Sequence, residues 1–299
     1  MAFRRSMLSA AHIAQILMSG LLMGLIYALI AAGLSLIFGL MDVVNFAHGE
    51  FLMTAMYATF GLVVLLSLDP LILSPIVAAI MFVVGAFCYR AIIVHAMRAR
   101  TNVGMVQVFA TFGLAIVIRG LAQFAFTPDY RSIPKSWLGG QTFSILGVYM
   151  PAPQLAGAVA SLLAFGALWL LMKRTDFGKA LEATREDAGA VGLVGIDRNR
   201  VFAMGWGLGA ALVGLAGAML SIFYYIHPDV GGSFALIAYV TVALGGFGSV
   251  FGALAAGVIV GIVEAISATV LQPSMKAIGI YAVYLLVVFL RPRGLFGHL

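Results

Sequence analysis

Charge is scarce in this chain. Asp, Glu, Lys and Arg make up 9% of its 299 residues, against 63% hydrophobic residues. So few charges cannot cover the surface of a soluble protein of this length. Most of the chain must face lipid or other apolar helices, in keeping with a mean hydropathy of +1.10. Cysteine is nearly absent. Cys88 is the single thiol, which excludes an intrachain disulfide framework and a cysteine-rich metal site. Catalytic signatures are missing too. No Gly-x-x-x-x-Gly-Lys-Ser/Thr occurs, so the chain has no P-loop with which to hold ATP, and Gly178-Lys179 runs on into Ala180. No His-Glu-x-x-His or Gly-x-Ser-x-Gly appears, and nothing marks the chain as an enzyme. The net charge of +6 is no nucleic-acid signal, because the basic residues sit in short loops between apolar runs.

What remains is apolar sequence cut into lengths that suit a bilayer. A crossing helix takes about 20 apolar residues. Candidate segments are 12–30, 34–68, 71–89, 103–126, 155–172, 201–226, 233–271 and 278–290. The expected fold is an all-α polytopic membrane protein of about eight hydrophobic segments, read as one transmembrane domain over 1–299. The chain has 35 glycines, which suit membrane helices because small residues let backbones approach closely. Arg4 and Arg5 precede an apolar run that continues to Leu40. That is longer than a signal-peptide core, so an uncleaved first span is expected.

Two of the segments are interrupted. Asn45-Phe46-Ala47-His48-Gly49-Glu50 sets an amide, an imidazole and a carboxylate between apolar runs. Gly245-Gly246-Phe247-Gly248-Ser249 breaks 233–271. Polar groups at membrane depth are costly and tend to mark function. Irregular backbone persists there only where protein or a water-filled cavity satisfies it. Asn45, Phe46, His48, Glu50, Gly245, Gly246, Gly248, Ser249 and the intramembrane Glu264 are therefore candidates for a translocation path. The bland reading of the first break is a short loop between ordinary spans. A lone His48 reads more readily as a hydrogen-bonded structural residue than as a metal ligand, and no metal site is expected. Glu264 has Lys276 as a candidate partner, and Arg119 reads as a snorkelling residue.

Orientation follows from the basic residues. Arg4 and Arg5; Arg90, Arg98 and Arg100; the six Lys and Arg of 173–200; and Arg291 and Arg293 are expected on the cytoplasmic side. The loops around Asp69, Asp129 and Asp229 then lie outside. Parity requires 34–68 and 233–271 each to begin and end outside, as two re-entrant hairpins. Segments 12–30, 34–68 and 71–89 also correspond in order to 201–226, 233–271 and 278–290, a pseudo-repeat of two halves. Interrupted segments at matching places in two halves point to a transport site.

Residues 173–200 are the one long charged stretch. Thr175 or Asp176 can cap a helix. Phe177, Ala180, Leu181, Ala188 and Val191 fall on one helical face, with Lys179, Glu182, Arg185 and Glu186 on another. Gly192 and Gly195 can end it. Such a helix suits a partner's groove, or simply packs on its own spans.

Asn45–Glu50 followed by Phe51, Gly178-Lys179-Ala180-Leu181 with Arg185-Glu186-Asp187 and Gly195-Ile196, Gly245–Ser249 before Gly252, Glu264, and Arg291-Pro292-Arg293-Gly294-Leu295-Phe296-Gly297 occur here in one order. This resembles the permease subunit of branched-chain amino acid ABC importers, the Liv type, in its shorter "H" form, from about Gly20 to Gly297. The resemblance implies that 173–200 is the loop that contacts the ATPase, through Gly178, Lys179, Leu181, Glu182, Arg185, Glu186, Asp187 and Gly195. It also implies a second permease subunit, two ABC ATPase subunits that bind ATP and Mg, and a periplasmic binding protein, all at a bacterial cytoplasmic membrane. Gly189 and Gly192 stand where the family often has alanines, which loosens a helix by about 1 kcal/mol each. An ion-coupled secondary transporter or channel that uses Glu50, His48 and Glu264 is the alternative.

Overall fold

The structure is a computed structural model and describes residues 10–133 and 135–296. Arg4, Arg5, Pro134 and Gly297 lie outside the described residues. Ten long helices carry the fold among them. These are α1 (Ala10–Met41), α2 (His48–Leu66), α3 (Pro70–Ala96), α4 (Val103–Phe126), α5 (Ala152–Arg174), α6 (Asp176–Glu186), α7 (Arg198–Leu220), α8 (Val230–Gly245), α9 (Val250–Val270) and α10 (Lys276–Leu290). A π turn at Tyr89–Ile93 lies within α3. Eight helices are long and apolar enough to cross a membrane, and α8 is a shorter apolar helix. An antiparallel hairpin, β1 (Thr142–Ile145) with β2 (Val148–Pro151), joins α4 to α5. Its Leu146-Gly147 turn has both φ angles positive, which matches the twist of the strands.

The bundle has two unlike ends. One carries the hairpin. The other carries Arg98 and Arg100 after α3, α6, Arg198 and Arg200 at the start of α7, and Arg291 and Arg293 after α10, and is called the basic end below.

α1 runs from the hairpin end to the basic end. Near its start the Gln15 amide donates to the Tyr149 carbonyl at 2.7 Å. Near its finish Gly39 lies against Gly248 and Arg185. This corrects two expectations. Residues 12–30 and 34–68 are not separate segments, because Ala31, Ala32 and Gly33 continue the helix. Their small side chains read as a gap, but they bring α1 against α7, where a Cβ on Gly209 would stand 2.7 Å from the Gly33 carbonyl. Nor is 34–68 a re-entrant hairpin. The helix that Arg4 and Arg5 precede starts at the hairpin end, so parity no longer demands one.

Two contacts dominate the packing, α1 with α9 and α3 with α7. The first rests on glycine. A Cβ on Gly24 would stand 2.7 Å from the Gly257 carbonyl, and one on Gly20 would stand 2.7 Å from the Ile262 backbone. Apolar side chains gain little from leaving lipid for one another, so such close backbone approach is how membrane helices bind. The pattern also revises the repeat. α1, α2 and α3 correspond to α7, α8 and α9, and the third helix of each half packs on the first of the other. α1 and α7 run in opposite directions, so the halves are inverted. The counterpart of 71–89 is α9 rather than 278–290.

Candidate functional site: two helix starts inside the bundle

α1 ends at Met41, and the chain turns back on itself. Asp42 takes a left-handed conformation at φ 54°. Residues 42–47 then climb toward the hairpin end, and α2 starts beside the middle of α1. The His48 Nε2 donates to the Ile30 carbonyl at 2.8 Å. Ile30 lies eleven residues before Met41, about 16 Å from the end of α1 at 1.5 Å per residue. The break is therefore inside the bundle, and protein meets part of its polarity, while Asn45 Nδ2, His48 Nδ1 and Glu50 Oε2 are buried with no hydrogen-bond partner among the described residues. The Asn45 Oδ1 accepts from the Ala47 N–H at 3.0 Å. The Tyr239 hydroxyl donates to the Phe46 carbonyl at 3.1 Å. His48 and Asn45 are fully buried. The helix starts at His48, so His48, Gly49 and Glu50 belong to its first turn rather than to the break.

α8 starts at the same place and departs in the opposite direction. Residues 221–229 fold back into the bundle from α7, so Asp229 is not on an outer loop as expected. Gly49 and Gly231 meet backbone to backbone, and a Cβ on either would overlap the other's carbonyl. Two helix N-termini thus face one another within the spans, each a partial positive charge. Each carries a carboxylate, Glu50 in the first turn of α2 and Asp229 at the N-cap position of α8.

Between them stands Arg119 of α4. Its Nη2 pairs with the Glu50 carboxylate, and its Nε donates to the same oxygen at 3.2 Å. Its Nη1 lies 3.9 Å from Asp229. Arg119 does not simply snorkel, because its guanidinium turns inward to an acid that is 3% exposed. Sequence reasoning missed Arg119, Asp229 and Tyr239. The available signal was that Arg119 is the only ionisable residue in α4, and such residues are functional candidates by default.

Glu264 occupies a second cluster near the hairpin end. Lys276 pairs with it at 2.6 Å, the partner the sequence offered. With Tyr27 and Tyr224 they line two cavities, of 650 Å³ toward Gln15, Tyr149 and Gln154 and of 430 Å³ toward Tyr130 and His227.

The second glycine break is elsewhere. α8 ends at Gly245, and Gly246 and Gly248 take φ of 99° and 79°, angles closed to most side chains. Ser249 caps α9, its Oγ accepting from the Gly252 N–H at 3.0 Å. This turn lies at the basic end, against Gly39 and Gly294. The fold does not bring it beside Asn45–Glu50, nor Glu264 beside Glu50.

At the basic end α6 forms as the sequence proposes. Thr175 accepts from the Gly178 N–H at 3.1 Å. Leu181 is buried, and Phe177 and Ala180 pack on the core. Gly178 lets the helix fold back on the carbonyls of Leu171 and Met172. Glu182 pairs with Lys173 at 3.3 Å and Lys179 with Asp176 at 3.1 Å. The helix stops at Glu186, ahead of the glycines expected to end it. Asp187 accepts from the Ala190 and Gly189 N–H groups, which holds its carboxyl below the usual range. Gly195, at φ 81°, closes the 3₁₀ turn Ala190–Val194 that follows. Arg185 is not turned wholly to water: its guanidinium lies over Gly39 and Gly248.

Eight helices long and apolar enough to cross a membrane, with a helix start held among them, define the class as a polytopic membrane protein. Residues 16–288 match the family described as branched-chain amino acid transport system / permease component, and the chain belongs to it. It is similar to the high-affinity branched-chain amino acid transport system permease protein BraD of Pseudomonas aeruginosa, 31% identical over 96% of each chain. It is also similar to LivH of Escherichia coli, 28% identical over 95% of each chain. A shorter match, 30% identical over 62% of this chain and 56% of the other, is to the ribose import permease protein RbsC of Bacillus subtilis. No solved structure matches.

Proposed function

We propose that the chain is one of two permease subunits of an importer for branched-chain or related amino acids. Two separate ABC ATPase subunits bind ATP and Mg and drive it, and a periplasmic binding protein feeds it. The basic end faces the cytoplasm of a bacterial inner membrane, by the positive-inside rule. The hairpin end, with Tyr130, Trp137 and Leu146 exposed, receives the binding protein.

The observation that carries this reading is the attachment of α6. Arg185 reaches from it to the ends of α1 and of the α8–α9 turn, while Leu193 and Val194 beyond it stand 89% and 75% exposed. A surface helix tied to two spans and flanked by open apolar side chains suits the transfer of an ATPase's motion to those spans. The secondary-transporter alternative is weaker. Glu50 and Glu264 are each occupied by an internal cation, Arg119 and Lys276, so neither is a free carboxylate awaiting a coupling ion.

The test is purification of the tagged chain from its native membrane. Two ATPase chains and a second permease are expected with it. Arg185→Ala should then lower substrate-stimulated ATP hydrolysis, whereas Glu182→Ala should change it little. An isolated chain that transports amino acids without ATP would sink the proposal.

A further inference from the structure

Arg119 stands seven residues before Phe126, about 10 Å inside the end of α4, yet its side chain is 40% accessible. An arginine at that depth is not left against acyl chains, so this face meets water or protein. Its Nε and Nη2 both turn to one oxygen of Glu50, which leaves the Nη1 edge with only the 3.9 Å approach of Asp229. Asp229 sits where a capping residue belongs but makes no capping hydrogen bond, and its carboxylate is 64% accessible. Nearer the basic end stand Phe112, seven residues before Arg119 on α4, and Tyr239, ten residues after Asp229 along α8. Phe46 packs between them, with ring centroids 6.5 Å and 5.7 Å away.

The charges of this groove nearly cancel. Two carboxylates oppose one guanidinium and two helix N-termini worth about half a charge each. The charges are nonetheless separated, with an open positive edge at Nη1 beside an open negative group at Asp229. A lone cation or anion would meet one group of each sign. A small zwitterion would satisfy both.

We propose that Arg119 and Asp229 form a station in the translocation path for the zwitterionic end of an α-amino acid. The substrate carboxylate meets Arg119 Nη1 and its ammonium meets Asp229. The aliphatic side chain points toward Phe46, Phe112 and Tyr239. Glu50 is a positioning residue that fixes the guanidinium. The station rests on the permease reading above and adds to it the groups that handle substrate within the spans.

The experiment uses the complete importer in liposomes with its binding protein and measures leucine taken up per ATP hydrolysed. Asp229 neither caps nor is buried, so its variants should assemble. Asp229→Asn should lower the ratio about tenfold or more, as expected for loss of one charge-assisted contact, and Asp229→Glu should restore most of it. The apparent KM should not move, because the binding protein captures substrate first. A wild-type ratio in Asp229→Asn overturns the station, and so does a loss that Asp229→Glu fails to rescue. A wild-type complex that hydrolyses ATP but takes up no amino acid overturns the permease reading itself, a distinct result.

Discussion

The Glu50–Arg119 pair is lopsided, and its two halves should fail differently. Glu50 is 3% exposed and Arg119 40% exposed. Arg119→Gln removes the cation and leaves a carboxylate inside the spans. Breaking a buried pair this way costs about 3–5 kcal/mol, of which the α2 dipole returns about 0.3–1 kcal/mol. A loss of about 3 kcal/mol is expected. Glu50→Gln leaves a guanidinium that already reaches solvent and keeps Asp229 within 3.9 Å. The new amide oxygen still accepts from Nε, so the loss should be about 1 kcal/mol, that of an ordinary hydrogen bond. The double variant buries no charge and should lose about 1–2 kcal/mol, so the coupling between the sites is about 2 kcal/mol. Equilibrium unfolding of the purified complex in detergent, with the two single variants and the double, measures each value. Equal losses in the two single variants and an additive double would refute the reasoning, because Glu50 would then not depend on Arg119.

Two further outcomes are expected. Gly261→Ala should destabilise the chain by about 3 kcal/mol, since its Cβ would overlap the α1 backbone at Gly20 and Gly24, whereas Gly166→Ala, with open space around it, should be neutral or gain up to about 1 kcal/mol; unfolding curves of the two variants check this. In a Cys88→Ser background, Ser132→Cys should react in intact cells with an impermeant thiol reagent and Glu182→Cys only with a permeant one, and the reverse would overturn the orientation.

Much of the fold was legible in the sequence because hydropathy is a property of neighbours along the chain. The apolar lengths, the basic loops, the cap at Thr175 and the apolar face of α6 through Leu181 all follow from local spacing. The family was legible for the same reason, since Asn45–Glu50, the 178–196 stretch and the Arg291–Phe296 tail are contiguous motifs. Errors came where a local signal had two structural meanings. Ala31-Ala32-Gly33 reads as a gap between spans, but small residues also let a continuous helix meet a neighbour, and that is their use against Gly209. His227-Pro228-Asp229 reads as an outer turn, and nothing local says that the turn dips back into the bundle.

The candidate site was decided by tertiary structure alone. Glu50, Arg119 and Asp229 come from three helices, and no periodicity links residues 69 and 110 positions apart. They meet because Gly49 and Gly231 let two helix starts approach to backbone contact, and because the inverted halves send α2 and α8 away from that point in opposite directions. The sequence by itself determined that charge would be rare in the spans, and so that each charge would need a partner. Which partner each one found depended on how the helices packed, since only packing brings distant side chains within reach of a Coulomb interaction or a hydrogen bond.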